Sequence, residues 1–307
     1  MILVTGASGL LGANLVMEAR TRFDRIVAVY RQHPFGLPGI ISVQADLTEA
    51  RSIRRLLSTY RPRWIVHCAA MTDVDRCELH PEEAWSVNAD LSRRLAAEAR
   101  RAHCRVLYVS TDSVFDGRRG DYSEDDSPNP INSYARSKLA GEKEVLRELH
   151  SSLVVRTCIY GWNAQDKLSL AETILRTLEA GEVFRGYVDV VFTPILANDL
   201  AQLLFQMMER DLSGVFHAVG GQACSKFDFA SQLADSFGFS RDLIQPASLD
   251  EKPLRAPRPR TLSLRTDRLR EALELPRLPD VGTGLLQFKM LRDASYVSKL
   301  KSYCKEA

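Results

Sequence analysis

Short apolar runs alternate with longer stretches whose apolar residues recur every three or four positions, and this alternation fills the first half of the chain. Residues 1–5 read as a strand, 10–21 as a helix with Leu11, Leu15 and Ala19 on one stripe, 25–30 as a second strand and 40–44 as a third. A helix follows over 49–60, with Ile53, Leu56 and Leu57 at helical spacing. Residues 64–68 predict a fourth strand, and Pro81 suits a helix start that 82–102 continues. Residues 105–110 predict a fifth strand, 132–149 a helix and 153–156 a sixth strand. Such alternation predicts an α/β fold of Rossmann-like type, a doubly wound parallel sheet covered on both faces.

The second half is less regular. Helical patterns are expected over 168–180, 198–209, 227–237 and 265–273, with a strand-like run at 214–219. The stretch from Pro246 to Pro259 also holds Pro253 and Pro257 and predicts an extended excursion. The expected division is a first domain over 1–160 and a smaller, discontinuous lobe over 161–307, some segments of which return to the first. In open sheets of this kind ligands bind at the carboxyl ends of the strands, so the lobe is expected there.

Composition narrows the classes. With 307 residues, 45% hydrophobic and 26% charged, the chain reads as ordinary globular protein. A net charge of +2 gives no basic surface for nucleic acid, and the cluster from Arg255 to Arg260 reads as a solvated loop. The cysteines (Cys68, Cys77, Cys104, Cys158, Cys224, Cys304) form no Cys-x-x-Cys pair and no zinc spacing, so no metal is expected and a reducing cytoplasm fits. The amino terminus lacks the basic leader of a signal peptide, and no apolar run reaches membrane-spanning length. His67, His103 and His217 read as packed histidines, and Trp64 and Trp85 as packing residues.

Gly6, Gly9 and Gly12 follow the first strand at the spacing Gly-x-x-Gly-x-x-Gly. The first allows the tight turn, the second lets a pyrophosphate approach the backbone, and the third lets helix and sheet pack closely. The helix start then offers free N–H groups to phosphate. At the end of the second strand, where an NAD site commonly carries an acid, the chain has Tyr30-Arg31-Gln32. A guanidinium there attracts a 2′-phosphate, so NADP is the expected cofactor, with NAD as the other candidate. Asp46 and Leu47, after the third strand, are expected at the adenine, with Asp46 also placed to cap the next helix.

The segment Asn132-Ser133-Tyr134-Ala135-Arg136-Ser137-Lys138 puts a phenol and an ammonium on one helical face. A lysine beside a phenol is expected to lower its pKa and make Tyr134 a usable proton donor. Thr111, at the end of the fifth strand, is the candidate to orient a carbonyl oxygen, with Ser110 in reserve. A phosphate cradle followed by this tyrosine predicts a carbonyl–hydride enzyme using a nicotinamide cofactor.

These residues resemble the extended short-chain dehydrogenase/reductase family, and within it the dTDP-4-dehydrorhamnose reductase group. The likeness is carried by Cys68 to Asp75, Val87-Asn88, Ser110 to Gly117, Tyr122 to Asp126, Tyr134, and Ser137 to Glu142. It implies Thr111, Tyr134 and Lys138 as catalytic residues, and reduction of the C4 keto group of a deoxyhexose on a nucleoside diphosphate. Ser8, Leu10, Cys68, Ala69 and Ala70 join the glycines, Arg31, Asp46, Leu47, Tyr134 and Lys138 as expected cofactor contacts. Thr72, Val74, Asp112 and Ser113 are expected at the sugar. Trp162 is expected either to stack on substrate at the mouth or to pack.

Departures qualify the likeness. Ser113 stands where the group has a pocket tyrosine, and Asn14 replaces a glutamate that serves a magnesium-linked dimer in some members, so no metal is carried over. A nucleotide-sugar substrate and a homodimeric partner are expected. Two other readings stay open. One is an epimerase or dehydratase, with dehydration disfavoured because no glutamate follows Asp112. The other is an NADP-binding regulatory subunit like those of methionine adenosyltransferase.

Overall fold

The computed structural model describes residues 1–251 and 254–304. Seven strands form one parallel sheet: β1 (Ile2–Thr5), β2 (Ile26–Tyr30), β3 (Ile41–Gln44), β4 (Trp64–His67), β5 (Arg105–Thr111), β6 (Leu153–Thr157) and β7 (Gly214–His217). Their spatial order is β7-β6-β5-β4-β1-β2-β3. Strands β1, β4 and β6 are buried throughout, so they show continuous apolar runs rather than alternation. The order reverses at β1, which opens a crevice between the ends of β1 and β4.

Helices cover both faces. On one side lies α1 (Leu10–Ala19), packed against Ala197–Glu209. On the other lie α2 (Ala50–Tyr60), α3 (Val74–Leu79), α4 (Pro81–Trp85), α5 (Leu91–Arg101) and α6 (Ser133–Glu148). The helix expected over 82–102 is thus interrupted, because Ser86–Asp90 forms a π-helical turn between α4 and α5. Such turns recur at functional sites. Trp64 is buried as expected, whereas Trp85 is 48% exposed and is not a core residue.

Past Thr157 the chain adds three short two-stranded pairs. Ile159–Tyr160 joins Ile195–Leu196, Val191–Phe192 joins Cys224–Ser225, and Phe184–Tyr187 joins Ile244–Ala247. Aromatic side chains of this region join the core that Leu11 and Leu15 of α1 share: Trp162 stacks on Phe288 at 4.0 Å, and Tyr160 meets Phe229 edge-on. Strand β7 returns to the main sheet beside β6. Within the excursion expected from Pro246 to Pro259, residues 252–253 lie outside the described residues. The remainder crosses the molecule, with the carbonyl of Pro257 accepting from Asn132 at 2.9 Å and Arg258 pairing with Asp75 at 3.0 Å. Helices Val281–Asp293 and Tyr296–Ser302 had no forecast in the pattern, since Gly282 and Gly284 dilute the apolar stripe of the first.

Candidate active site

The glycine loop makes a cradle at the switch point. Gly6 has φ +65°, and a Cβ there would come within 2.8 Å of the Cα of Ala69. A Cβ on Gly12 would meet the Gly6 carbonyl at 2.2 Å. Gly9 caps α1 with no side-chain hydrogen bond, so the first-turn amides are left for a ligand. A dinucleotide pyrophosphate fits this donor set. Thr5 Oγ1 hydrogen-bonds His67 Nδ1 at 2.7 Å and accepts the Ala69 amide at 3.3 Å, which ties the loop to the end of β4. Cys68, Ala69 and Ala70 are partly open there, as is Leu10. The carbonyl of Ser8 accepts Gln165 Nε2 at 2.9 Å.

Beyond the ends of β2 and β3, Arg31 and Asp46 are exposed, while Leu47 is buried. Asp46 does not cap α2; it accepts the amide and hydroxyl of Thr48 at 2.9 and 2.7 Å. Those bonds, with the Arg31 charge adding, hold its carboxyl below the usual range.

The candidate reaction corner lies where α6 meets the ends of β4 and β5. Asn132 caps α6 by accepting the Ala135 amide at 2.9 Å, which sets the entry of Tyr134. Lys138 is buried, donates to the carbonyl of Val109 at 2.7 Å and sits 4.1 Å from the centre of the Tyr108 ring. Thr111 donates to Asp112 Oδ1 at 3.0 Å and accepts the Ser113 amide at 3.2 Å. Its hydroxyl lies near enough to the Tyr134 phenol to bear on that group's proton affinity. Ser113 Oγ donates to Asp112 Oδ1 at 3.2 Å. Thr72 is exposed and Val74 half-buried at the start of α3, and Lys167 Nζ reaches the Thr72 hydroxyl at 3.4 Å.

Burial dominates the electrostatics here. It lowers the Lys138 ammonium to about 7, against the opposing charge of Glu142. It pushes the Tyr134 phenol up, with the Thr111 hydroxyl pulling the other way and the Asp112 carboxylate adding to the rise. This corrects the expectation that Lys138 lowers the phenol's pKa. The ammonium is turned to a backbone carbonyl, and Tyr134 holds its proton at neutral pH. Burial also raises the Asp112 carboxyl, opposed by hydrogen bonds from Thr111, Cys158 and Ser113. The corner therefore presents a neutral phenol, a hydroxyl and a buried amine that titrates near neutral pH to one space.

A family model described as the RmlD substrate binding domain matches residues 1–280. The chain belongs to that family. Among curated relatives, the probable low-salt glycan biosynthesis reductase Agl14 of Haloferax volcanii is 33% identical, covering 84% of this chain and 87% of that protein. Methionine adenosyltransferase 2 subunit beta of Danio rerio is also 33% identical, covering 87% and 83%. The crystal structure of dTDP-4-dehydrorhamnose reductase from Bacillus anthracis in complex with NADP superposes with a TM-score of 0.84 at 27% identity, covering 94% of this chain and 98% of that one.

Within this RmlD-type fold, the structural roles of Asn88 and Lys226 escaped the reading of the sequence. Asn88, in the π-helical turn, accepts the Met71 amide at 2.8 Å and donates to Ser137 on α6 at 2.9 Å. Its signal was a polar residue inside an apolar helical pattern. Lys226 begins the helix Lys226–Phe237 and lies within electrostatic reach of Asp112 and Cys158. Ser110 is not a free hydroxyl, because it donates to Glu142. Trp162 takes the packing alternative: its ring covers Phe288 and its Nε1 donates to the Phe288 carbonyl at 2.9 Å. Asn14 bonds the carbonyl of Trp162 at 2.8 Å and the Tyr296 hydroxyl at 2.8 Å. Among the described residues no group of His, Cys, Asp and Glu could hold a metal ion, and no helix is long and apolar enough to cross a membrane.

Proposed function

We propose that this chain is an NADPH-dependent reductase of a nucleotide-linked 4-keto deoxy sugar. The observation that carries this reading is the meeting of Thr111, Tyr134 and Lys138 in one corner beside an uncapped glycine cradle. A nicotinamide held by that cradle supplies hydride. Tyr134 holds a proton on its phenol and passes it to the carbonyl oxygen of the sugar. Thr111 turns its hydroxyl from Asp112 Oδ1 to that oxygen and stabilises the charge developing on it. Lys138 spends one N–H on Val109 and keeps two for the cofactor ribose. Thr72, Val74, Asp112 and Ser113 line the sugar, and exposed Arg31 meets a 2′-phosphate.

The names of similar proteins support the reductase class, and the NADP held by the Bacillus anthracis enzyme supports the cofactor. A second reading rests on the Danio rerio relative: a dinucleotide-binding regulatory subunit without turnover. NADPH oxidation measured across nucleotide-linked 4-keto sugars separates the two. Substrate-dependent oxidation is expected. NADPH binding with no oxidation across the panel would favour the regulatory reading.

A further inference from the structure

Beneath the reaction corner lies a buried network that the proposed chemistry does not use. Glu142 stands one helical turn beyond Lys138 on α6 and is 2% exposed. Its carboxylate accepts Arg156 Nε on Oε1 at 3.1 Å and Arg156 Nη2 on Oε2 at 2.8 Å. Oε1 also accepts the Ser110 hydroxyl. Ser110 and Arg156 are register partners across β5 and β6, so the network clamps two strands to α6 at one level. Thr111 is the next residue of β5. The Arg156 guanidinium lies over the Phe115 ring, 5.1 Å from its centre.

A buried ion pair is weak support for stability, because desolvation offsets much of its attraction. The surroundings of Lys138 point to another role. From its own helix it faces Glu142 and lies one turn from Tyr134. From the end of β4 it faces Cys68 and His67, and from β5 the Tyr108 ring. Burial takes Cys68 up to about 12, His67 down to about 3, and both phenols upward, so all four are neutral at pH 7. Of these neighbours Glu142 alone brings an opposite charge. We infer that Glu142, clamped by Arg156 and Ser110, is a positioning residue that sets a buried counter-charge one turn from Lys138 and holds α6 against the Thr111 strand end. Its consequence for turnover rests on the reductase reading; the charge coupling does not.

Glu142→Gln removes the charge and keeps the shape. Titration of Lys138 by NMR of the 13C-labelled lysine ε-carbon, in the chain without ligand, is expected to show a midpoint about one pH unit lower. Glu142→Asp is expected to restore it. Under NADPH oxidation the alkaline limb of the kcat profile is expected to move to lower pH in Glu142→Gln, and kcat at pH 8 to fall about tenfold. A merely structural Glu142 would lower the melting temperature while midpoint and limb stayed in place, and that result overturns the inference. Should Glu142→Gln fail to fold, Glu142→Gln/Arg156→Met removes the uncompensated guanidinium. The lowered midpoint is expected there too, and an unchanged one overturns the inference. Absence of NADPH oxidation in the natural chain counts against the reductase reading alone, because the NMR titration needs no turnover.

Discussion

At the candidate reaction corner Thr111, Asp112, Lys138, Asn88 and Glu142 are all buried, whereas beyond the ends of β2 and β3 Arg31 and Asp46 stand in solvent. The buried polar groups answer one another: Lys138 to a carbonyl, Asn88 to Met71 and Ser137, Glu142 to Arg156. The exposed pair makes local contacts, Asp46 with Thr48 and the Arg31 carbonyl with Gln44 Nε2. A buried network left partly unsatisfied loses much, since its members cannot turn to water. An exposed charge is screened and is cheap to change. The corner that would do chemistry is thus fixed by packing, and the end that would choose between cofactors is set by a few surface side chains.

Breaking the buried side should cost most. Arg156→Ala removes the partner of the buried Glu142 carboxyl, and urea unfolding should show a loss of about 3–5 kcal/mol. Stability within about 0.5 kcal/mol of the natural chain would mean that the pair is solvated in solution. Gly141→Ala comes next. Its Cβ would lie 2.3 Å from both the Asn88 carbonyl and the Tyr108 hydroxyl, so α6 must shift away from the π-helical turn. The expected cost is about 1–3 kcal/mol with a fall in turnover, read by thermal unfolding and kinetics. A fully stable, fully active variant would show that this contact does not hold the helix.

Lys138 gives a gentler test through pH. Its proton affinity is depressed in the fold, from 10.5 to about 7, so its stabilising contribution is full above 10.5 and is lost as pH falls through 7. Melting temperatures of the natural chain should therefore decline over that window relative to Lys138→Met. Parallel curves would place the ammonium in water. The smallest effect is expected at the exposed end, where Arg31→Ala should weaken NADPH about tenfold and leave NADH nearly unchanged. Equal weakening of both would detach Arg31 from the 2′-phosphate.

The same contrast explains what was legible in the sequence. The sheet could be read because strands buried on both faces print as unbroken apolar runs, as at Ile2–Thr5 and Trp64–His67. The cradle could be read because backbone approach there admits only glycine at Gly6 and Gly12. Glu142 and Arg156 could not, because charged residues on a helix and a strand look alike whether they face water or each other. Trp162 was ambiguous because an indole packs or stacks equally well, and only Phe288, 126 residues away, decides it. The direction of the Tyr134 shift was misjudged because spacing along a helix puts Lys138 on the right face and says nothing of the Val109 carbonyl that its ammonium meets.

The central claim is that a neutral phenol at position 134 gives its proton to a sugar carbonyl. The direct measurement is NADPH oxidation by Tyr134→Phe on the best nucleotide-linked 4-keto sugar, with NADPH affinity followed in parallel by fluorescence. The account predicts turnover reduced by about 10²–10⁴ with NADPH affinity nearly unchanged. Turnover equal to that of the natural chain would contradict it.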